Sequence, residues 1–465
     1  MTADLLPATS FGGFVRRARA AGELVVQPRM GISDPAAMRA GLLATRHADA
    51  TTVGTMTLDS YTRIGDHRAA GLALASGAGL NGFPIVAHGP AVTAAVLDGV
   101  RDDRFPVQVR HGSACPEDII LALARAGLDA TEGGPVSYCL PYGRTPLADS
   151  VRNWARSCEL LAALRGPGVE PHLETFGGCM MGQLCPPGLL VAISVLEAMF
   201  FARHGLRSVS LSYAQQTHPG QDAEAVAALR RLAGELLPGL DWHIVIYTYM
   251  GVFPKTPAGA TSLLERSAEL AVRTGAARLI VKTVAEAHRI PTVAENVRAL
   301  ETASAAARRA RAAGPGETPT DTGVYAEARA LIEAVAHLDD DLGRALTRAF
   351  ARGYLDVPFC LHPDNAGRAR SHIDPAGRLR WSEVGAMPIG HLVGPGTRRR
   401  LGSADLLTSL SHVERTYDRP ALGSHLPKEN HRDHRRSARL APRTPLAGVH
   451  PAHAADPERD PVGDA

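Results

Sequence analysis

Ser208-Val209-Ser210-Leu211-Ser212, the helical stretch Ala223–Leu237 and His243-Ile244-Val245-Ile246-Tyr247 together decide the fold. A short β-branched run, a long Ala/Leu-rich segment and a second short apolar run read as strand, helix, strand. Strands linked in this way pair in parallel, because the helix carries the chain back to the start of the next strand. The same rhythm recurs on both sides. Further short runs are Phe83-Pro84-Ile85-Val86-Ala87, Pro106-Val107-Gln108-Val109, Ala130-Thr131 ahead of Glu132, His172-Leu173-Glu174-Thr175, Arg278-Leu279-Ile280-Val281 and Leu355-Asp356-Val357-Pro358-Phe359. They bring the count to eight, with helical segments at Pro116–Ala126, Leu147–Leu164, Gly188–His204, Ala260–Thr274 and Val324–Arg352. The alternation predicts an α/β fold, a (β/α)8 TIM-type barrel, with an open doubly wound sheet as the competing arrangement.

Around that barrel, placed at residues 59–360, the sequence predicts three appendages. Residues 1–58 read as an N-terminal helical extension that contributes to the pocket and holds one short strand, Leu24-Val25-Val26-Gln27. Residues 361–423 read as a C-terminal subdomain whose core-like run is Trp381–Leu392. Residues 424–465 are rich in Pro, His, Arg and Asp and poor in large apolar side chains, so they are expected to be disordered.

The 465 residues are 45% hydrophobic and 21% charged, ordinary for a globular enzyme. A net charge of +3 gives no support for a nucleic-acid partner. The six cysteines form no CxxC pair, which points to a reducing compartment, taken as the cytoplasm, and away from a structural zinc. The opening MTADLLPATSFGG lacks the basic-then-apolar pattern of a signal peptide. Leu189–Ala202 is too short for a membrane span and carries Glu197, so it reads as a buried helix.

Chemistry gathers where strands end. Glu132–Tyr142, EGGPVSYCLPY, offers a carboxylate, two glycines and two tyrosines four residues apart. Gly and Pro break its apolar residues too often for a core element, so it suits a pocket mouth; the plainer alternative is a surface turn. Arg29, Arg63, Arg110 with His111, and Lys282 also fall at strand ends, the catalytic side of a barrel. Several guanidiniums in one place could fork onto two carboxylates of a small anionic substrate. No phosphate loop, dinucleotide fingerprint, HExxH or GxSxG elbow is present, and no set of metal ligands is evident.

QPRMG at 27–31, DSYTR at 59–63, LNGFP at 80–84, VQVRHG at 107–112, EGGPVSYCLPY at 132–142, ETFGG at 174–178, MGVFP at 250–254 and KTVAEAHRIP at 282–291 resemble, in order, the epsilon (E) subunit of glutamate mutase, also called methylaspartate mutase. The resemblance implies a (β/α)8 catalytic subunit that binds adenosylcobalamin between itself and a small sigma (S) subunit, as a homodimer within a heterotetramer. It implies radical interconversion of L-glutamate and threo-3-methyl-L-aspartate, with no role for nucleic acid or membrane. Carried over, Arg29, Arg63 and Arg110 are the arginine claw on the substrate carboxylates, joined by His111, Tyr138 and Tyr142. Glu132 holds the substrate ammonium and is the catalytic candidate, as a base. Cofactor positions fall on Gly31, Asn81, Pro141, Phe253, Lys282, Glu286 and Ile290, and Phe176 marks an aromatic near the pocket.

Plainer roles are open to several of these. Lys282 and Glu286 are spaced as a helix ion pair, Phe253 and Ile290 suit a core, and Gly31 and Asn81 suit turns. The DxHxxG motif by which cobalamin domains supply a lower histidine is missing: Asp241-Trp242-His243 comes nearest, but Ile246 stands where Gly is required. The lower ligand is therefore expected from the separate sigma subunit. Gly178–Cys185 departs from the family pattern. Two alternatives follow: a related cobalamin mutase acting on another amino-acid dicarboxylate, or a non-catalytic barrel that binds a partner subunit.

Overall fold

The computed structural model describes residues 10–141, 143–179, 184–314, 318–394 and 402–423. Tyr142, part of the divergent 178–185 segment and the tail from 424 onward lie outside the described residues.

Eight strands form one parallel sheet: β1 Val25–Gln27, β2 Gly54–Thr57, β3 Val107–Arg110, β4 Ala130–Gly133, β5 His172–Thr175, β6 Ser208–Ala214, β7 Asp241–Tyr247 and β8 Arg278–Ile280. Their order is β1-β8-β7-β6-β5-β4-β3-β2. A bridge from Val26 to Thr52, just ahead of β2, brings the two ends together, and the Val26 amide donates to the Thr51 carbonyl at 2.9 Å. That closure makes a (β/α)8 barrel and sets aside the open doubly wound sheet.

Two strands are not where the sequence put them. Phe83–Ala87 is no strand: Phe83 makes a single bridge to Leu58, and Ile85 then opens the helix Ile85–Leu97. Pro84 has no amide to give a ladder, so pairing stops there. Leu355–Phe359 is no strand either. The Val357 amide donates to Asn365 Oδ1 at 2.8 Å and its carbonyl accepts from Asn365 Nδ2 at 3.0 Å, so a side chain takes the groups a ladder would use. Pro358 lacks an amide, and Phe359 sits at φ 62. The true strands in their place are β1 and β2, both inside residues 1–58, so the barrel begins at Val25 and that segment supplies two of its staves.

The helix Phe11–Ala20, capped by Ser10, plugs the N-terminal end of the barrel. Phe11 stacks on His172 at 5.0 Å, with the Arg278 guanidinium 5.0 Å from its ring. The helix Pro187–Arg203 is buried along nearly all of its length, Glu197 included. The expected long helix Val324–Arg352 is two, Val324–Ala336 and Leu342–Arg352, the second begun by an Asp341 cap. No helix among the described residues is long and apolar enough to cross a membrane. The hairpin of β9 Arg370–Ile373 and β10 Leu379–Glu383 is tied to the barrel wall: the Gln221 amide brackets Leu379 at 2.8 and 2.9 Å, and the Trp381 indole donates to Glu327 at 3.1 Å.

Candidate active site

Alternate residues of a strand share one face, and on the inner face of this barrel many of those residues are polar. Gln27 Nε2 donates to Thr55 at 2.9 Å and to Gln108 Oε1 at 2.8 Å. Arg278, wholly buried, pairs with Glu174 and with Gln27, and donates to Ser210 at 3.0 Å. Below them His172 bonds Ser208 and Ser210 and stacks on His243 at 5.1 Å. A charged pair in so dry a place is tolerable only because each remaining lone pair and N–H finds a partner. This layer is the floor of the site.

Glu132 stands near the end of β4, in register with Glu174 on β5. Arg110 Nε donates to its Oε2 at 2.7 Å, the Tyr247 hydroxyl contacts the same oxygen at 2.8 Å, and the Tyr138 hydroxyl donates to Oε1. Arg110 Nη2 reaches the Tyr247 hydroxyl at 3.2 Å. Burial alone would lower the Arg110 pKa, but Glu132, then Tyr247, Tyr138 and Glu174, outweigh it and raise it well above the usual range. Phe176 packs on Tyr138 at 5.1 Å and meets the Tyr247 ring edge-on at 5.5 Å.

The loop after Glu132 is fixed from behind. Glu197 accepts from the Val136 and Ser137 amides at 3.2 and 2.9 Å and from the Ser137 hydroxyl at 2.9 Å. Burial raises the Glu197 pKa to about 7, with these donors pulling the other way. Any side chain at Gly133 would collide with Trp154 and Tyr138, and any at Gly134 with Glu197. The two glycines are required because a helix packs against them, and Gly133 also sits at φ +141.

His111 follows Arg110 and stacks on Trp154 at 5.8 Å. Burial first, then the Arg63 and Arg110 charges, lower its pKa to about 3, so the ring is neutral. Its Nδ1 accepts from the Ser113 amide at 3.2 Å, which leaves the proton on Nε2. Arg63 anchors its Nε on the Leu58 carbonyl at 2.9 Å and makes no ion pair among the described residues. Four buried polar atoms, Arg110 Nη1, His111 Nε2, Thr57 Oγ1 and Ser212 Oγ, have no hydrogen-bond partner among the described residues. They come from strand ends on this side of the barrel, and buried polar groups left so are the mark of a place for a polar ligand.

A second charged group lies at the rim. Arg29 pairs with Glu286 at 2.9 Å, and Lys282 pairs with the same carboxylate oxygen at 3.0 Å. The Lys282 ammonium lies 5.1 Å from the centre of the Phe253 ring. Burial lowers the Lys282 pKa to about 8; Glu286 opposes the shift and Arg29 adds to it. These residues, with Met250, Gly251, Val252, Lys255 and Ala287, line a cavity of about 480 Å³.

The structure therefore brings Arg110, His111, Glu132, Tyr138 and Phe176 into one buried cluster, with Arg63 close enough to act on His111. Arg29 is held by the rim residues Glu286 and, through it, Lys282. Gly31 touches the end of β2, where a Cβ would strike the Thr57 carbonyl. Asn81 accepts from the Ser60 amide at 2.9 Å, Pro141 is half-buried, and Ile290 is 69% exposed. Sequence reasoning overlooked Tyr247, Glu174, Arg278, Gln27 and Gln108. The available signal was the polar residue at every second strand position, as in VVQ, VQVR, HLET and SVSLS. His243 is buried in the floor, where Arg278 Nε approaches its Nε2 at 3.4 Å.

The sequence profile of the family described as Methylaspartate mutase E chain (MutE) matches residues 6–404. The glutamate mutase epsilon subunit of Halobacterium salinarum is 32% identical over 348 residues, 72% of this chain and 71% of that protein. That of Escherichia coli is 30% identical over 354 residues, 72% of each. That of Yersinia enterocolitica is 30% identical over 386 residues, 79% of each. With a family match over most of its length, and the buried cluster built from residues inside that match, the chain belongs to the methylaspartate mutase E chain family.

Proposed function

We propose that this chain is the catalytic subunit of an adenosylcobalamin-dependent carbon-skeleton mutase, an isomerase that interconverts L-glutamate and threo-3-methyl-L-aspartate by a radical route. The observation that carries the reading is Glu132 among buried polar atoms that lack partners. L-Glutamate has two carboxylates and one ammonium. Arg63, the second Nη of Arg110 and the His111 Nε2–H are donors suited to the carboxylates. Arg29, held at the rim by Glu286, and Tyr142 complete the proposed set. Glu132 is suited to the ammonium, with Tyr138 and Arg110 fixing its orientation. The guanidiniums hold the carboxylates while the skeleton between them changes, and the buried position of Glu132 excludes water.

The rim fits a large cofactor approached from outside. Arg29, Lys282 and Glu286 give it polar anchors and Phe253 an apolar wall, beside the exposed Val252 and Ile290. Gly31, Asn81 and Pro141 are the remaining proposed contacts. When bound, adenosylcobalamin supplies homolytic, hydrogen-abstracting chemistry that no side chain here can supply. His243 is committed to the barrel floor, so the reading includes a separate cobalamin-binding sigma subunit, with this chain as a homodimer within a heterotetramer. The reading places the assembly in the cytoplasm, where free thiols such as Cys115 stay reduced.

The test is to mix the purified chain with a sigma subunit, coenzyme and L-glutamate and to look for 3-methylaspartate. The expected product appears only when all components are present. Its absence, or its formation without cobalamin, refutes the reading.

A further inference from the structure

Tyr247 lies between two buried carboxylates. Its hydroxyl oxygen is 2.8 Å from Glu132 Oε2 and is also bonded to Glu174 Oε1, while Arg110 Nη2 donates to it at 3.2 Å. A phenol carries one hydroxyl hydrogen, so it can serve only one carboxylate at a time. The two carboxylates are not equally dependent on it. Glu174 is held through its other oxygen by Arg278, by Gln108 at 3.3 Å and by Ser210 at 3.3 Å, whichever way the hydroxyl points. Glu132 keeps Arg110 and Tyr138 but loses a donor from Oε2 when the hydroxyl turns away.

We infer that Tyr247 is a positioning residue that adjusts the donor count on Glu132, with the Glu174–Arg278 pair as its fixed anchor. With no ammonium present the hydroxyl lies within reach of both carboxylates, and its hydrogen is free to go to Glu132. When an ammonium arrives at Glu132 and supplies its own hydrogens, the hydroxyl turns to Glu174, and no proton leaves or enters the unit. The carboxylate that receives substrate is then neither starved of donors when empty nor crowded when filled. Among the described residues, the charged and titratable groups around Tyr247 include Arg110 from β3, Glu132 from β4, Tyr138 from the loop after it, Glu174 from β5 and Arg278 from β8. The inference rests on the proposed role of Glu132 toward the substrate ammonium.

Two substitutions act on the unit in opposite senses. Tyr247→Phe removes a donor from Glu132, and a carboxylate with fewer donors holds its proton to higher pH. Glu174→Gln removes a negative charge from its neighbourhood and leaves Arg278 in excess, which favours ionisation at lower pH. The experiment assembles each variant with a sigma subunit. It measures L-glutamate affinity by calorimetry against pH without coenzyme, and the kcat/KM profile with coenzyme. In Tyr247→Phe the acid limb of both profiles is expected to move up by about half a unit or more, with kcat/KM about ten- to hundredfold lower. In Glu174→Gln the acid limb is expected to move down. A scaffold role would lower activity without moving the limbs in opposite directions. Unmoved limbs beside an active wild type overturn the inference alone, whereas an inactive wild type removes the functional reading and this inference with it. If Glu174→Gln fails to fold, Tyr247→Phe, which loses only a hydroxyl, decides by itself.

Discussion

Arg110 and Glu132 pair at 2.7 Å with side chains 5% and 2% exposed, whereas Arg29 and Glu286 pair at 2.9 Å with side chains 36% and 20% exposed. The residue types are nearly the same, and burial separates what they do. In the inner cluster the charges of Arg110 and Arg278 balance those of Glu132 and Glu174, and His111 is neutral. Arg63 then adds one positive charge without an ion-pair partner among the described residues, which matches the single net negative charge of glutamate. At the rim, Arg29 and Lys282 share one carboxylate, so the group is also one charge positive, but it lines an open cavity where the inner cluster is buried. Removing one partner of a buried pair costs about 3–5 kcal/mol, against about 0–1 kcal/mol for an exposed one. The inner cluster is thus a rigid socket, and the rim is an adaptable lip.

The hardest blow to that contrast is Arg110→Lys. Lysine cannot fork onto Glu132 and Tyr247 together, so kcat/KM is expected to fall about a thousandfold while the chain stays folded, read by steady-state kinetics and by thermal melting. A loss as small as that from a rim change would erase the distinction. A middling effect is expected from Glu286→Gln, with coenzyme affinity about tenfold weaker in calorimetric titration. Glu286 helps Lys282, at about 8, to keep its proton. Without that carboxylate the ammonium is lost at lower pH, so the alkaline limit of coenzyme binding should move down. The mildest is Ile290→Ser: stability within about 0.5 kcal/mol of wild type by denaturant melting, and affinity for the coenzyme-loaded sigma subunit about two- to threefold weaker.

How much of this was legible depends on how local each signal is. β6 and β7 are seven residues each, long enough for a single chain segment to reveal them. β1 was read as a short strand, Leu24–Gln27, but its three residues did not mark it as a stave of the barrel, and β2 has four residues and opens on Gly54, so nothing nearby marks it as a strand. Leu355–Phe359 misled because its composition suits a strand, while the side chain that claims its backbone, Asn365, lies beyond the run. At the site, Arg110, His111, Glu132 and Tyr138 were picked out through ordered blocks, and the structure buries them together. The reason for Gly133 and Gly134 was not legible, because the side chains that fill the space beside them, Trp154 and Glu197, come from helices later in the chain. Glu174, Arg278 and Tyr247 escaped because each strand was read as a buried run and not as two faces, one of them polar.

That polar face has a thermal consequence. Barrels are ordinarily filled by layers of branched aliphatic side chains, whereas Gln27, Thr55, Gln108, Glu174, Ser210 and Arg278 stand at the middle of this one. Exposing aliphatic surface on unfolding raises heat capacity, and exposing polar surface lowers it. The curve of unfolding free energy against temperature is accordingly expected to be slightly shallower than for an aliphatic barrel of equal length.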